Sequence, residues 1–519
     1  MKNTRRSRLR HLIVTAILLC ASAAPANAQE HTSRNSLDWS GTYTGTVPCA
    51  DCEGIGTTVL LRSNGTFRLE QEYRGRSAAV FTDSGRFLWK SDGRTIELRP
   101  MNGERRLFSV GEEKLTMLDK NGRPVRGPLA QHYILTKERP LLPLIDEVLR
   151  ASVRQSLAMA RSLEERPGML PRSTDKNGAL VTCTSQWWTS GFFPGTLWYL
   201  YESSGNDTLR RYAEMFTRRV EREQYTTDNH DVGFMINNSY GNAYRITGDT
   251  LYRRALLNAS RSLLTRFHPV IGATRSWDTH THNRHWQFAV IIDNMMNMEL
   301  LLRSAAEFSE PSFTAAARSH AGVTMRHHFR PNGSSYHVVS YDTVTGQPHR
   351  KQTAQGYSDS SAWARGQAWG LYGFTMMYRF TRDTAYVRQA ERIADFILHH
   401  PRLPADKVPY WDFDAPSIPD APRDASAAAI IASALIELSR YTAPERRREY
   451  LRIAELQLRS LSSPEYRNAP GTHANFLLRH SVGSIPHKSE IDVPVSYADY
   501  YFVEALLRMK NILAEEQHR

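Results

Sequence analysis

The chain has 519 residues, with 66 Lys and Arg against 53 Asp and Glu, and a formal net charge of +13. At about 100–200 residues per domain, that length holds two to four domains. A hydrophobic fraction of 41% with 23% charged residues excludes disordered and collagen-like chains, and no apolar run reaches the roughly 18–20 residues of a membrane-spanning helix.

The first 28 residues carry Lys2, Arg5, Arg6, Arg8 and Arg10 and no acid, then an apolar core from Leu12 to Ala24, then Ala26-Asn27-Ala28. A basic start, a short apolar core and a small-residue cleavage site form a secretory signal peptide. Residues 1–28 are assigned to one, and its removal lowers the charge to +8. The core is too short for a membrane anchor. Cys20 raises the alternative of a lipoprotein, but Leu19 stands where a small residue is expected. Arg5-Arg6 points to the twin-arginine route, but Arg8 sits where that signal wants an apolar residue. The expected location is periplasmic or secreted, with no integral membrane segment after signal removal.

Cys49 and Cys52 form a C-x-x-C. In an oxidising compartment the simplest reading is a local disulfide. Two thiols without a second pair or nearby histidines make a weak metal site. No metal and no cofactor are expected. Cys183 reads as a small buried apolar residue.

From about residue 36 to 136 the pattern is that of strands. Thr57-Val59-Leu61 and Phe67-Leu69 flank Asn64-Gly65; Phe87-Trp89 and Ile96-Leu98 flank Asp92-Gly93; Leu115-Met117 precedes Asn121-Gly122. Asn-Gly and Asp-Gly favour the positive-φ turns of hairpins, and several short strands so spaced imply a small antiparallel barrel or sandwich. Trp39-Ser40-Gly41-Thr42-Tyr43-Thr44-Gly45, followed by Pro48-Cys49-Ala50-Asp51-Cys52-Glu53-Gly54-Ile55, resembles the N-terminal domain of NlpE-type envelope lipoproteins. The resemblance implies a β-barrel over residues 30–138; copper handling is not carried over.

Pro140 and Pro143 mark a boundary. Beyond it the period becomes helical, and polar turns recur at Tyr201–Asp207, Tyr244–Asp249, Phe308–Pro311, Tyr378–Asp383 and Tyr441–Pro444. Asp249 and Asp383 suit helix starts. The turns imply about twelve helices, or six helical hairpins, over residues 140–519. Six hairpins can close into an all-α (α/α)6 toroid. An open solenoid is the alternative, disfavoured because the terminal helices lack a polar capping face.

Eight of the ten tryptophans lie in this second region, beside Asp, Arg, Gln and His. Flat aromatic faces with planar polar partners suit a sugar; filling the core is the plain alternative. Trp188, in a Gly- and Pro-containing turn, is the better site candidate. Asp231 follows His230 before a helix, and Asp293 sits in the apolar run Val290-Ile291-Ile292-Asp293-Asn294-Met295-Met296-Asn297. A carboxylate there is costly unless paired or protonated. Burial and a second carboxylate both raise its pKa and keep a proton available near neutral pH. Capping of a helix is the alternative for each. Arg365, in Trp363-Ala364-Arg365-Gly366-Gln367-Ala368-Trp369, can grip a carboxylate bidentately or pair with a structural acid.

The blocks W-T-S-G-F-F-P-G, H-D-V-G-F-M, S-Y-G-N-A-Y-R, R-S-W-D, I-I-D-N-M-M-N, W-A-R-G-Q-A-W-G, P-Y-W-D-F-D-A-P and Y-A-D-Y-Y-F-x-E-A-L occur in order. They resemble glycoside hydrolase family 88, the unsaturated glucuronyl hydrolases. The resemblance implies removal of a 4,5-unsaturated uronic acid from the non-reducing end of lyase-generated glycosaminoglycan oligosaccharides. The reaction is hydration of the C4=C5 enol ether. Asp293 corresponds to the general acid/base and Asp231 to its partner carboxylate. Trp188, Trp277, Trp363 and Trp369 correspond to stacking residues and Arg365 to a substrate-binding group. Thr353 and Gln355 match polar contacts, with His230 and His337 as further ones. Ser481 and Ser484 match two serines of a sulfate-binding segment, but Lys488 does not match its lysine. Sulfated and unsulfated fragments both fit. The rival readings are an unsaturated rhamnogalacturonyl hydrolase acting on pectin fragments, and a non-enzymatic envelope sensor or carbohydrate-binding protein. No phosphate loop or nucleic-acid motif is present.

Overall fold

The computed structural model describes residues 32–76, 80–101, 103–278 and 286–517. The assigned signal peptide and Cys20 lie outside them. By its internal contacts the chain divides after Pro140 into two compact units.

The first unit opens with a single turn, α1 (Ser33–Ser36), followed by eight strands. They are β1 (Gly41–Val47), β2 (Gly54–Leu61), β3 (Thr66–Arg74), β4 (Val80–Trp89), β5 (Thr95–Pro100), β6 (Arg106–Gly111), β7 (Lys114–Leu118) and β8 (Ile134–Lys137). Each pairs antiparallel with the next, and β8 returns to β1, closing a barrel. Alternate residues point inward. Tyr43, Val59, Leu61, Phe67, Leu69, Phe87, Ile96, Leu98, Phe108 and Leu135 make a dry core. Asn64-Gly65 joins β2 to β3 and Asp92-Gly93 joins β4 to β5, as their composition predicts; Asp92 accepts from the backbone N–H groups of Arg94 and Thr95. Cys49 and Cys52 are disulfide-bonded in the β1–β2 loop.

The second unit is helical. Its rods are α2 (Leu141–Ser162), α3 (Phe192–Ser204), α4 (Asp207–Arg219), a π-helix (Gly233–Gly241) that runs directly into α5 (Asn242–Thr247), and α6 (Leu251–Leu264). Then come α7 (Asn294–Phe308), α8 (Pro311–His327), α9 (Ala364–Thr381), α10 (Thr384–Leu398), α11 (Ala425–Leu438), α12 (Pro444–Ser462) and α13 (Ser496–Gln517). With the π-helix and α5 counted as one rod, the described residues hold twelve. Six of them pack in a closed ring: α3 on the π-helix, the π-helix on α7, then α7 on α9, α9 on α11, α11 on α13, and α13 back on α3. The other six lie outside. This is the (α/α)6 toroid.

Inner and outer helices differ as their sequences require. Every residue of α11 and of the π-helix is buried, as an all-round apolar or small-residue helix demands. By contrast α10 buries Tyr386, Val387, Ala390, Ile393, Ala394 and Ile397, a single stripe at helical spacing. Short turns join five of the inner helices to the outer helix that follows, with Asn206 capping α4 and Asp383 capping α10, while α13 packs on α2 from the far end of the unit. Long loops lead from each outer helix to the next inner one. They carry small antiparallel sheets that the all-α expectation did not include: β9 (Leu170–Thr174) with β10 (Leu180–Cys183), β11 (Phe267–His268) with β12 (Ala273–Thr274), β13 (Phe288–Ile291) with β14 (Val338–Tyr341) and β15 (Pro348–Gln352), and β16 (Ser481–Ser484) with β17 (Ser489–Val493). Loops that pack down need partners for their backbone groups, and short ladders supply them.

The π-helix is wide, and glycine lets its neighbours close on it. A Cβ at Gly191 would sit 2.3 Å from the carbonyl oxygens of both Phe234 and Met235. Gly191→Ala is therefore expected to destabilise the helical unit by about 2–3 kcal/mol, read as a lower thermal midpoint of that unit's transition. A midpoint unchanged within about 1 °C would show that the packing yields freely.

Candidate functional site

All six inner helices run in the same sense, so their N-terminal ends and the long loops share one mouth of the ring. The expected site residues converge there. Trp188 precedes α3, Asp231 leads into the π-helix, Asp293 is the N-cap of α7, Trp363 is the N-cap of α9, and Ser481–Ser484 form β16 before α13.

Asp293 is not in the middle of a helix. The apolar run that contains it is strand β13 followed by the first turns of α7, with Asp293 at the junction. Its side chain makes no cap hydrogen bond, and Oδ2 is buried without a hydrogen-bond partner. Burial pushes its pKa up to about 7, against the opposing charge of Arg365 and the nearby Trp369 indole. Asp231 is pushed up to about 8, first by burial and then by the charge of Asp293. The two carboxyls thus form one coupled acid pair, whose titration belongs to the pair. In place of the expected push of Asp231 on Asp293, the repulsion falls on Asp231.

Each carboxyl faces a histidine of defined tautomer. His337 Nδ1 accepts from the backbone N–H groups of Ala354 (3.0 Å) and Gln355 (3.2 Å), so the ring proton is on Nε2. That nitrogen lies 3.6 Å from Asp293 Oδ2, a contact longer than a hydrogen bond. On the other side, Asn297 Oδ1 accepts from the Phe234 N–H (2.8 Å). The orientation of the amide is thereby set, and its Nδ2 donates to His230 Nδ1 (3.3 Å). The His230 proton is therefore also on Nε2, 3.5 Å from Asp231 Oδ1. Burial lowers the His230 pKa to about 3 and keeps it neutral.

The aromatic residues divide into two groups. Trp188 is half-buried against Phe192, Phe234 and Tyr497. Trp277 is half-buried, stacked on Trp286 at 5.7 Å and edge-on to His337. These two keep part of their surface accessible. Trp363 and Trp369 are only 2% and 0% exposed; Trp363 packs on His337 at 4.5 Å and Trp369 on Phe234 and Tyr501. They floor the site and offer no free face for stacking.

Arg365 has the structural acid partner that is one of its two expected roles. Its guanidinium is buried, with Nη1 on Asp424 (3.2 Å) and on the Val482 carbonyl, and Nη2 on the Gly483 carbonyl (2.6 Å). Both terminal nitrogens are engaged within the protein, while Nε is buried without a hydrogen-bond partner. Arg365 ties α9 and α11 to β16 and places a positive charge behind Asp293. On β16, the Ser481 hydroxyl is buried without a partner, while Ser484 pairs with His487 Nδ1 at 2.8 Å. Thr353 Oγ1 accepts from the Gly356 N–H, and Gln355 is half-buried beside His337.

Sequence reasoning passed over Asn297, Asp412 and Asp424. Asp424 caps α11 and anchors Arg365; an Asp before an Ala-rich helix is a legible cap. Asp412 accepts from the Tyr357 N–H and the Ser361 hydroxyl, which shapes the loop carrying Gln355. Asn297, four residues after Asp293 in an apolar run, is the polar oddity that marks an inward-facing clamp.

Comparison with known proteins agrees with this geometry. Residues 43–128 match the NlpE N-terminal domain and residues 168–472 match Glycosyl Hydrolase Family 88. The chain is 42% identical over 327 residues to the unsaturated glucuronyl hydrolase of Formosa agariphila, covering 63% of this chain and 80% of that protein. The crystal structure of an unsaturated glucuronyl hydrolase specific for heparin is 48% identical, with a TM-score of 0.68, and the match covers 71% of this chain and 98% of that one. The barrel is similar to the lipoprotein NlpE of Escherichia coli, 29% identical over 108 residues, which is 21% of this chain and 45% of that protein. The chain belongs to glycosyl hydrolase family 88, with an NlpE-type domain ahead of its catalytic toroid.

Proposed function

We propose that this hydrolase releases 4,5-unsaturated uronic acid from the non-reducing end of lyase-generated glycosaminoglycan oligosaccharides. The observation that carries the reading is the acid pair: two carboxyls at one mouth, both held up toward neutral pH by burial, each facing a neutral N–H of histidine.

An unsaturated uronate presents an enol ether conjugated to a carboxylate. Protonated Asp293 gives its proton to C4, and the ring oxygen supplies electrons that stabilise the developing cation at C5. Water adds at C5 and passes a proton back to the Asp293 carboxylate. One water has then been added across the double bond. The C5 hemiketal opens by breaking its bond to the ring oxygen, which remains on C1 as a hydroxyl. That C1 hemiacetal expels the aglycone. One residue thus serves as acid and then base, with no direct displacement at C1 as in ordinary glycosidases.

Asp231, more exposed than Asp293, is placed to hold the sugar hydroxyls. Trp188 and Trp277 supply faces for the pyranose ring, and Thr353, Gln355, His230 and His337 supply polar contacts. Ser481 and Ser484 line the segment toward the leaving sugar. The signal-like start and the NlpE-type barrel support action in the cell envelope, periplasmic or secreted. The heparin-specific relative favours glycosaminoglycan over pectin fragments.

The reading is tested with unsaturated disaccharides from heparin, chondroitin and hyaluronan. Loss of the enoate ultraviolet absorbance is expected with at least one, and no loss with any overturns it. Asp293→Asn should lower kcat by about 10²–10⁴; a loss under about tenfold would remove Asp293 from the acid role. Because the protonated form acts, wild-type kcat should fall as pH rises through about 7, and a flat profile from pH 5 to 9 would contradict the assignment.

Stability should follow the opposite sense to an ordinary paired carboxylate. With a folded pKa near 7 against 3.8 unfolded, the folded state holds the proton more tightly. The wild type loses stability as pH rises from about 4 to about 7. Asn at 293 removes this loss. Asp293→Asn is expected to melt about 1–3 °C higher than wild type at pH 8, with no such gain at pH 4, as read by scanning calorimetry.

A further inference from the structure

The segments carrying Asp231 and Asp293 are joined by one side chain. Asn297 is fully buried on α7, one turn after Asp293. Its carbonyl oxygen takes the Phe234 N–H of the π-helix at 2.8 Å, and its amide nitrogen gives to His230 Nδ1 at 3.3 Å. Gly233 comes so close that a Cβ there would lie 2.4 Å from Asn297 Oδ1 and 2.7 Å from its Cα. The π-helix therefore starts against the backbone of α7 at this residue.

We infer that Asn297 is a positioning residue for the hydrolytic step: it locks His230 in the Nε2–H tautomer that faces Asp231 and sets the spacing between the two carboxyls. Only an amide does both tasks. The acceptor satisfies a π-helix N–H that lies at the helix start and has no partner in the preceding turn. The donor needs the lone pair of Nδ1, which forces the ring proton to Nε2. His230 is buried and neutral, so its proton position is decided by protein contacts and not by solvent: Asn297 at Nδ1, with the Asn294 side chain also beside the ring. A hydroxyl at position 297 can bond at one of the two places but not both. A carboxylate keeps the acceptor for Phe234 but offers no donor to Nδ1. It then favours the Nδ1–H tautomer, which points the ring proton away from Asp231.

The kinetic arm of the test rests on the proposed glucuronyl reading; the spectroscopic arm does not. With ¹⁵N-histidine labelling, the His230 signal, assigned by its loss in His230→Gln, should report an unprotonated Nδ1 in the wild type. It should report a protonated Nδ1 in Asn297→Asp. The same tautomer in both proteins overturns the inference, whatever the substrate. In turnover of the unsaturated disaccharide, Asn297→Asp and Asn297→Ser should each lower kcat about 100-fold with KM within about threefold. If Asn297 acts through His230, the double variant His230→Ala/Asn297→Ser should be no more than about twofold slower than His230→Ala alone. Additive losses, or a kcat within about threefold of wild type in Asn297→Ser, would leave Asn297 a packing residue only. An inactive wild type with the expected tautomer change would sink the substrate reading and keep the positioning role.

Discussion

Closure of six parallel inner helices into a ring is the constraint on which the site depends. Each inner helix must return through an outer partner before the next can begin, so all six start at the same mouth. The long loops that feed them must lie there too. Asp231, Asp293, Trp363 and Asp424 come from four different helix starts, separated by up to about two hundred residues of chain, yet they stand around one opening. The positive ends of six helix dipoles meet at this mouth. They favour an anionic ligand and by themselves would lower the carboxyl pKa values. The carboxyls are raised nonetheless, so desolvation outweighs the dipoles at both.

The same closure gathers the negative ends of the inner helices at the other mouth, and the sequence answers with arginine. Arg379 bridges Glu299 and Glu437, Arg303 pairs with Glu299, and Arg508 joins Glu437, Glu504 and the Tyr372 hydroxyl. A cavity of about 430 Å³ lies among them. It is larger than a water pocket but is built from mutually paired charges, with helix C-termini behind them that disfavour anions. The layer of Phe192, Phe234, Trp369, Tyr372 and Tyr501 separates it from the acid pair. Charge neutralisation and packing account for this end of the ring, and the chemistry stays at the other.

Local signals in the chain were legible, and signals that depend on ring closure were not. The Asn-Gly and Asp-Gly turns, the period-two strands and the Asp383 cap act over a few residues and can be read directly. The twelve-helix count came from turns of the same kind. The position of Asp293 in an apolar run correctly marked a buried acid, but the run was divided between β13 and α7, a split that periodicity over so few residues does not show. Arg365 was open between ligand and structural partner because Asp424 and β16, which engage it, are 59 and more than 115 residues away. The family resemblance groups Trp363 and Trp369 with Trp188 as stacking residues, and the sequence does not show which of these rings is buried. The π-helix has no reliable signature of its own. It is held open by contacts with α3 and α7.

The two histidines show why the site needs so much structure behind it. An acid that must give up its proton and then take one back works best with a pKa near the working pH. Burial alone would carry an isolated carboxyl further, until it no longer ionises. The Arg365 charge and the Trp369 indole oppose that rise at Asp293, and the Arg266 charge opposes it at Asp231; the neutral histidine rings add no full charge, whereas a histidinium beside Asp293 would pull its pKa back down and empty it of its proton. Keeping both rings neutral with the proton on Nε2 requires a donor at each Nδ1. The chain supplies them in different ways: two backbone N–H groups of the 353–356 turn for His337, one side-chain amide for His230. The first is secured by a loop that Asp412 and Thr353 shape, the second by a single residue on α7. Of the two, the His230 arrangement has less redundancy, and the reactivity of the pair is correspondingly most sensitive on that side.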